Sequence, residues 1–111
     1  NIRWKFLQGK KTDFYDVYGD GVIKIIFTPG HTPGSVSFHF ESAKLLVAGD
    51  TLFLGSVGRT DLPGGDFNQL KTSIQEKIYK LDESTKVIAG HGPETSIENE
   101  MNNNLVVRYN S

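Results

Sequence analysis

The sequence predicts an α+β fold in which a mixed or antiparallel sheet is covered by helices on one face. Runs of β-branched and apolar residues typical of strands occur at 22–28, 35–40, 44–48 and 86–89. Two later segments have apolar residues at helical spacing, and each follows a capping pattern, at Asp66 with Gln69 and at Thr95 with Glu98. Each predicted helix has one apolar stripe, which must be buried against the sheet.

The predicted strands and helices assign faces to individual side chains. In 35–40 the residues alternate, so Val36, Phe38 and Phe40 share one face, and we expect His39 to face water or the helix layer. The glycine-rich segment 55–66 is a predicted loop, and it lacks the Gly-Lys-Ser/Thr ending of a phosphate-binding loop. The two helical stripes contain Phe67, Leu70, Ile74, Ile78 and Leu81, and then Ile97, Met101 and Leu105.

The composition excludes several classes of protein. With 37% hydrophobic and 23% charged residues, the chain has the balance of a globular protein rather than a disordered one. A net charge of -1 provides no basic field for nucleic acid. No apolar run is long enough to span a bilayer, and the absence of cysteine excludes thiolate ligands and is compatible with a cytoplasmic protein, which we expect.

The 111 residues predict a single partial domain. The chain begins with Asn1 and its only methionine is Met101, so we expect a piece of a longer polypeptide. About four strands and two helices make a thin core, and half of a sandwich should expose an apolar sheet face. Such a face would favour self-association of the chain.

Three predicted strands end in the same way, in a glycine followed by a residue that binds metals. These residues are His31, Asp50 and His91. Glycine permits a sharp turn, and a strand end holds the next side chain rigidly at the sheet edge. If the three strands are neighbours, two imidazoles and one carboxylate converge, a set that suits zinc, iron or manganese.

These segments resemble the later motifs of the metallo-β-lactamase superfamily. The matching stretches are TPGHTPGS at 28–35, AGDTLF at 48–53 and AGHGP at 89–93. The stretch FLGSVGRTDLPGGD at 53–66 is similar to short bacterial hydrolases of the glyoxalase II type. The resemblance implies the C-terminal half of an αββα sandwich, and it extends from about residue 22 to 104.

The resemblance also implies roles and cofactors. His31 would bind the first of two divalent metal ions, His91 the second, and Asp50 would bridge both as the catalytic carboxylate; zinc is expected first, with iron or manganese as alternatives. A metal-bridging hydroxide would then cleave a thioester such as S-lactoylglutathione. The family's His-x-His-x-Asp-His motif is absent from this chain. We therefore expect activity only together with the missing N-terminal half of the fold.

Arg59 and two other features leave alternatives open. Arg59 could bind a substrate carboxylate, although an ion pair with Asp61 or Asp66 within the loop is slightly favoured. YDVYGDG at 15–21 is weakly similar to lactonases of the same superfamily, and a Gly-Arg-Thr-Asp segment also occurs in its persulfide dioxygenases. Without the first motif, the chain could instead be a non-catalytic folding or interaction unit.

Overall fold

The structure is a computed structural model that describes residues 23–109. The lactonase-like segment 15–21 lies outside these residues. The strands are β1 (Ile23–Phe27), β2 (Val36–Phe40), β3 (Leu45–Gly49), β4 (Leu52–Phe53), β5 (Ser56–Val57), β6 (Lys86–Ala89) and β7 (Thr95–Ser96). The helices are α1 (Phe67–Glu76) and α2 (Ile97–Asn103), with a 3₁₀ turn (Ile78–Lys80) after α1.

Five strands form one mixed sheet in the order β1-β2-β3-β6-β7. All neighbouring strands are antiparallel except β3 and β6, which are parallel. The strands β4 and β5 pair separately as a short hairpin. The α+β prediction is thus confirmed, whereas the loop predicted for 55–66 begins with part of this hairpin, because two-residue strands leave no periodic signal.

The core lies between one face of the sheet and α1. Leu70, Ile74 and Ile78 of the predicted stripe are fully buried, together with Leu46 and Val87 of the sheet. Phe67, the first member of the stripe, is 40% exposed, and the α-helix ends at Glu76 rather than continuing to Leu81. The helix thus begins at Phe67 as predicted, but its predicted C-terminal extension is wrong: Ile78 belongs to the 3₁₀ turn, and Leu81 follows that turn while still packing against the core.

The other face of the sheet is less well covered. Phe38 and Ile88 are each 38% exposed, and both are in register with Val47 between them. On the opposite face, Ser37 and His39 are buried, and His39 is paired with Leu46, which belongs to the core beneath α1. His39 therefore faces the helix layer. An exposed apolar face was predicted for a half-sandwich, and self-association through it stays a prediction. Among residues 23–109, no helix is both long and apolar enough to cross a membrane.

The second helix begins one residue later than predicted. Ser96, not Thr95, is its N-cap, and the Ser96 hydroxyl accepts a hydrogen bond from the Asn99 backbone N–H at 3.1 Å. The Thr95 hydroxyl instead donates to the buried Glu100 carboxylate. Leu105, which was expected to line this helix, follows its end and is 82% exposed.

At the start of α1, only half of the predicted capping box forms. The Asp66 carboxylate accepts from the Gln69 backbone N–H at 3.1 Å, as expected. The Asp66 backbone N–H donates to the Gly30 carbonyl at 2.8 Å, where a capping box would use the side chain at position 69. The helix start is therefore attached to the loop that follows β1 and carries His31.

Replacing Asp66 by alanine should lower the free energy of unfolding by about 1 kcal/mol, because the Gln69 N–H loses its acceptor. Urea denaturation would measure this loss. Asp66→Asn is the matched control, since asparagine caps helices about as well and should retain most of the stability. Equal losses in the two variants would contradict a capping role.

Candidate metal centre

The three predicted ligands meet at one edge of the sheet. Asp50 directly follows β3 and His91 lies two residues after β6, and these parallel neighbours end side by side. The strand β1 is not their neighbour, because β2 lies between β1 and β3. His31 still reaches the site, since β1 runs in the same direction as β3 and its long following loop extends past β2.

The Asp50 carboxylate lies between the two imidazoles. His31 Nε2 is 3.7 Å from Asp50 Oδ2, and His91 Nδ1 is 3.0 Å from Asp50 Oδ1. The three side chains line a pocket of about 350 Å³, with Phe53, Ser56, Val57, Gly58 and Arg59 as the other lining residues. Each carboxylate oxygen thus faces a different histidine, as a residue shared by two ions would require.

A backbone hydrogen bond selects the tautomer of the neutral His31 ring. His31 Nδ1 is 2.8 Å from the Arg59 carbonyl oxygen, which can only accept. Nδ1 therefore carries the proton, and the Nε2 lone pair faces Asp50 and is free to bind a metal. Metal-binding histidines are oriented by such a bond from the second ring nitrogen.

His91 is held more loosely. Its Nδ1 donates to Asp50 Oδ1, and its ring meets Phe53 edge-on at 6.0 Å between centroids. Its side chain is 78% exposed, against 23% for His31. The hydrogen bond to the carboxylate leaves Nε2 of His91 as an available lone pair on the open side of the pocket.

Three hydroxyl side chains connect the strands beneath the site. Thr28 Oγ1 lies 3.0 Å from Ser37 Oγ and 3.3 Å from Thr51 Oγ1, and all three residues are buried. This ladder joins the end of β1, the start of β2 and the turn after Asp50. These three residues were not predicted, because a lone Ser or Thr carries no signal until its cross-strand partner is known.

Two glycines allow the backbone to approach Asp50 closely. A Cβ atom on Gly58 would lie 1.8 Å from the Asp50 carbonyl oxygen and 3.2 Å from His31 Nδ1. A Cβ on Gly90 would lie 2.7 Å from Asp50 Oδ1. At position 58 the clash is with backbone, so only glycine fits there, whereas a Cβ at position 90 would displace the Asp50 carboxylate. Gly90 is the glycine that precedes His91 in the strand-end pattern.

Arg59 forms the predicted ion pair within the loop, with Asp61 as its partner. Its Nε and Nη2 donate to the two oxygens of Asp61 at 2.7 and 2.9 Å. Each partner stabilises the charge of the other, so the pKa of Arg59 is raised and the pKa of Asp61 is lowered. Both side chains are exposed, and Arg59 also lines the pocket, so its role in substrate binding stays a prediction.

The donor set fits part of a metal centre rather than a complete one. Within residues 23–109, no group of three or more His, Cys, Asp or Glu residues is arranged to hold an ion. The imidazole and carboxylate donors present do suit zinc, iron or manganese, and they flank one shared carboxylate. Each ion would have two ligands from residues 23–109, so a complete set would need ligands from outside these residues.

The family model of the metallo-beta-lactamase superfamily matches residues 16–91, and the chain belongs to this superfamily. It is 48% identical over 95 residues to "Probable metallo-hydrolase YqgX" of Bacillus subtilis, covering 79% of this chain and 45% of that protein. It is 43% identical over 81 residues to "Hydroxyacylglutathione hydrolase GloC" of Haemophilus influenzae, covering 73% and 38% respectively. The chain thus spans less than half the length of these relatives.

Solved structures agree with this family. BLEG-1 B3 metallo-beta-lactamase has a TM-score of 0.77 and 44% identity, with 86% of this chain and 45% of that chain covered. TTHA1623, solved in a di-iron-bound form, has a TM-score of 0.72 and 34% identity, with 89% and 46% covered. The fold is therefore part of a metallo-beta-lactamase fold, and one neighbour of this chain holds two metal ions.

Proposed function

We propose that these residues form half of a binuclear metal-dependent hydrolase of the glyoxalase II type, which cleaves a thioester such as S-lactoylglutathione. The observation that carries the proposal is the position of His31 and His91 on opposite oxygens of Asp50. The 43% identity to a hydroxyacylglutathione hydrolase and the segment 53–66 support the choice of substrate class.

In this proposal His31 and Asp50 would hold one metal ion, and Asp50 and His91 the other. Zinc is our first choice, and iron is the main alternative because of the di-iron neighbour. When bound, two such ions supply an activated water and polarise a carbonyl group. The remaining ligands would come from the N-terminal half of the fold, which is the partner we propose for these residues.

The chain's own residues would orient the ligands and the substrate. The Arg59 carbonyl keeps the His31 proton on Nδ1, so Nε2 stays available. The Arg59 guanidinium, at the pocket rim, would bind a carboxylate of a glutathione thioester as a planar two-point donor. Phe53, which meets the His91 ring edge-on, would limit the rotation of that ring.

The test is metal content and turnover of the full-length protein and of residues 1–111 alone. We expect two metal ions and hydrolysis of S-lactoylglutathione from the former, and weak metal binding without turnover from the latter. A full-length protein that binds no metal would rule out the proposal. Tightly bound stoichiometric metal in residues 1–111 alone would contradict the need for further ligands.

A second candidate is hydrolysis of a cyclic substrate. The likeness to BLEG-1 B3 metallo-beta-lactamase, at 44% identity, favours including a β-lactam in the assay. A homoserine lactone tests the lactonase alternative, and a glutathione persulfide tests the dioxygenase alternative. A higher kcat/KM on any of these substrates than on S-lactoylglutathione would replace the thioester in the proposal.

A full-length protein with bound metal but no turnover on any of these substrates would favour the non-catalytic interpretation.

Replacing Arg59 by alanine in the full-length protein should raise KM for S-lactoylglutathione by about tenfold with little change in kcat, the effect of losing one charged contact to the substrate. The Arg59 backbone carbonyl remains, so His31 and the metal content should be unaffected. Steady-state kinetics would measure the effect. Asp61→Ala is the matched control, since it removes the partner of Arg59 but keeps the guanidinium. An unchanged KM in Arg59→Ala would show that Arg59 does not bind the substrate and serves only in the ion pair with Asp61.

A further inference from the structure

A buried carboxylate on α2 lies outside the metal centre. Glu100 is fully buried. Its Oε1 accepts from the Gly55 backbone N–H at 2.9 Å and from Asn104 Nδ2 at 2.8 Å. Its Oε2 accepts from the Thr95 hydroxyl and from Asn99 Nδ2. Four donors therefore surround one carboxylate.

The chemistry of these donors requires a carboxylate at position 100. Backbone and amide N–H groups can only donate, and an ionised carboxylate offers acceptors alone. A glutamine would place an amide NH₂ against at least one of these donors. Burying a carboxylate is costly unless it is fully hydrogen-bonded. The four donors around Glu100 offset this cost and hold the side chain in one position.

Glu100 and Asn104 hold the turn of the β4–β5 hairpin. Glu100 binds the Gly55 N–H, while Asn104 Nδ2 donates to the Ser56 carbonyl at 3.0 Å. The Leu105 backbone N–H donates to the Gly55 carbonyl at 3.1 Å. Three hydrogen bonds thus attach the hairpin turn to Glu100 of α2 and to the two residues that follow the helix.

The other end of the same hairpin forms a wall of the metal centre. Just after β5, the Gly58 N–H donates to the Thr51 carbonyl at 3.2 Å, and the Arg59 carbonyl accepts from His31 Nδ1. Phe53, Ser56 and Val57 of the hairpin line the pocket. The position of the hairpin therefore determines where the Arg59 carbonyl lies.

We infer that Glu100, acting with Asn104, is a positioning residue for the metal centre: it anchors the hairpin whose far end orients His31. The part of this inference that concerns metal rests on the proposed function. The anchoring of the hairpin does not depend on the proposed function, because it follows from the hydrogen bonds alone.

The test compares Glu100→Gln with the wild type, in the full-length protein with cobalt(II) as the metal probe. In the variant we expect the Gly55 N–H to exchange with solvent at least about tenfold faster, since it loses a charged acceptor. We expect cobalt affinity to fall by about 10- to 100-fold, the usual cost of losing an orienting contact, with an altered visible spectrum. Glu98→Gln, an exposed neighbour on α2, is the matched control and should change neither quantity.

If Glu100→Gln does not fold, Thr95→Val provides a milder variant, because it removes one donor at similar volume. It should change both quantities in the same direction by a smaller factor. Faster Gly55 exchange with unchanged cobalt affinity and spectrum would overturn the inference and leave the proposed function intact. A wild-type protein that binds no cobalt would instead overturn the proposed function, and the metal part of the inference with it.

Discussion

Replacing Asp50 by alanine in the full-length protein is expected to remove stoichiometric binding of both metal ions and to lower kcat/KM by at least about 100-fold. Losing a residue that merely orients a ligand already costs about 10- to 100-fold, and Asp50 faces both histidines directly. Metal analysis after dialysis and steady-state kinetics would measure the two effects.

Two further variants make the Asp50 experiment specific. Asp50→Asn keeps the size of the side chain but removes its charge, so we expect it to retain at most one metal ion. Asp82→Ala removes an exposed carboxylate just before β6, at the sheet edge opposite the metal centre, and should leave metal content unchanged. Two equivalents of metal in Asp50→Ala would contradict a bridging role.

Replacing Gly58 by alanine is expected to lower the free energy of unfolding by at least about 3 kcal/mol, the upper range for overpacking. The new methyl group would lie 1.8 Å from the Asp50 carbonyl oxygen, and backbone cannot move aside as a flexible side chain can. The same contact would displace Asp50 and His31, so metal affinity should fall as well. Urea denaturation and metal titration would measure these effects.

Gly34→Ala is the matched control, because it lies in the His31 loop and a Cβ there would meet nothing within 4 Å. We expect this variant to retain the stability and metal affinity of the wild type. If Gly58→Ala were as stable as Gly34→Ala, the close approach between the hairpin and Asp50 would not exist in solution.

The main strands and helices could be predicted because the spacing of apolar residues along a short segment is enough to indicate each of them. The alternation in 35–40 and the helical spacing from Leu70 to Ile78 depend only on which face of each element is buried. The N-cap of α2 could not be predicted in this way. Thr95 and Ser96 are both good caps, and the choice depends on Glu100, which binds the Thr95 hydroxyl from within the core.

At the metal centre too, local patterns could be predicted from the sequence and contacts between distant residues could not. The three candidate ligands could be predicted together because each follows a glycine at the end of a strand. The structure brings His31, Asp50 and His91 to one pocket. Their roles as metal ligands stay predictions. The contacts that orient them, such as the Arg59 carbonyl on His31, join residues far apart in the chain and could not be read from it.

The single parallel pair in the sheet has a consequence for folding kinetics. Asp50 and His91 become neighbours only when β6 docks beside β3, with Gly49 opposite Ala89. A parallel pairing requires a long crossover, and contacts between distant segments form late because the entropy of closing the intervening loop opposes them. The centre should therefore be completed after the β1–β2–β3 hairpins have folded. A metal ion that binds both Asp50 and His91 would then slow unfolding more than it speeds folding.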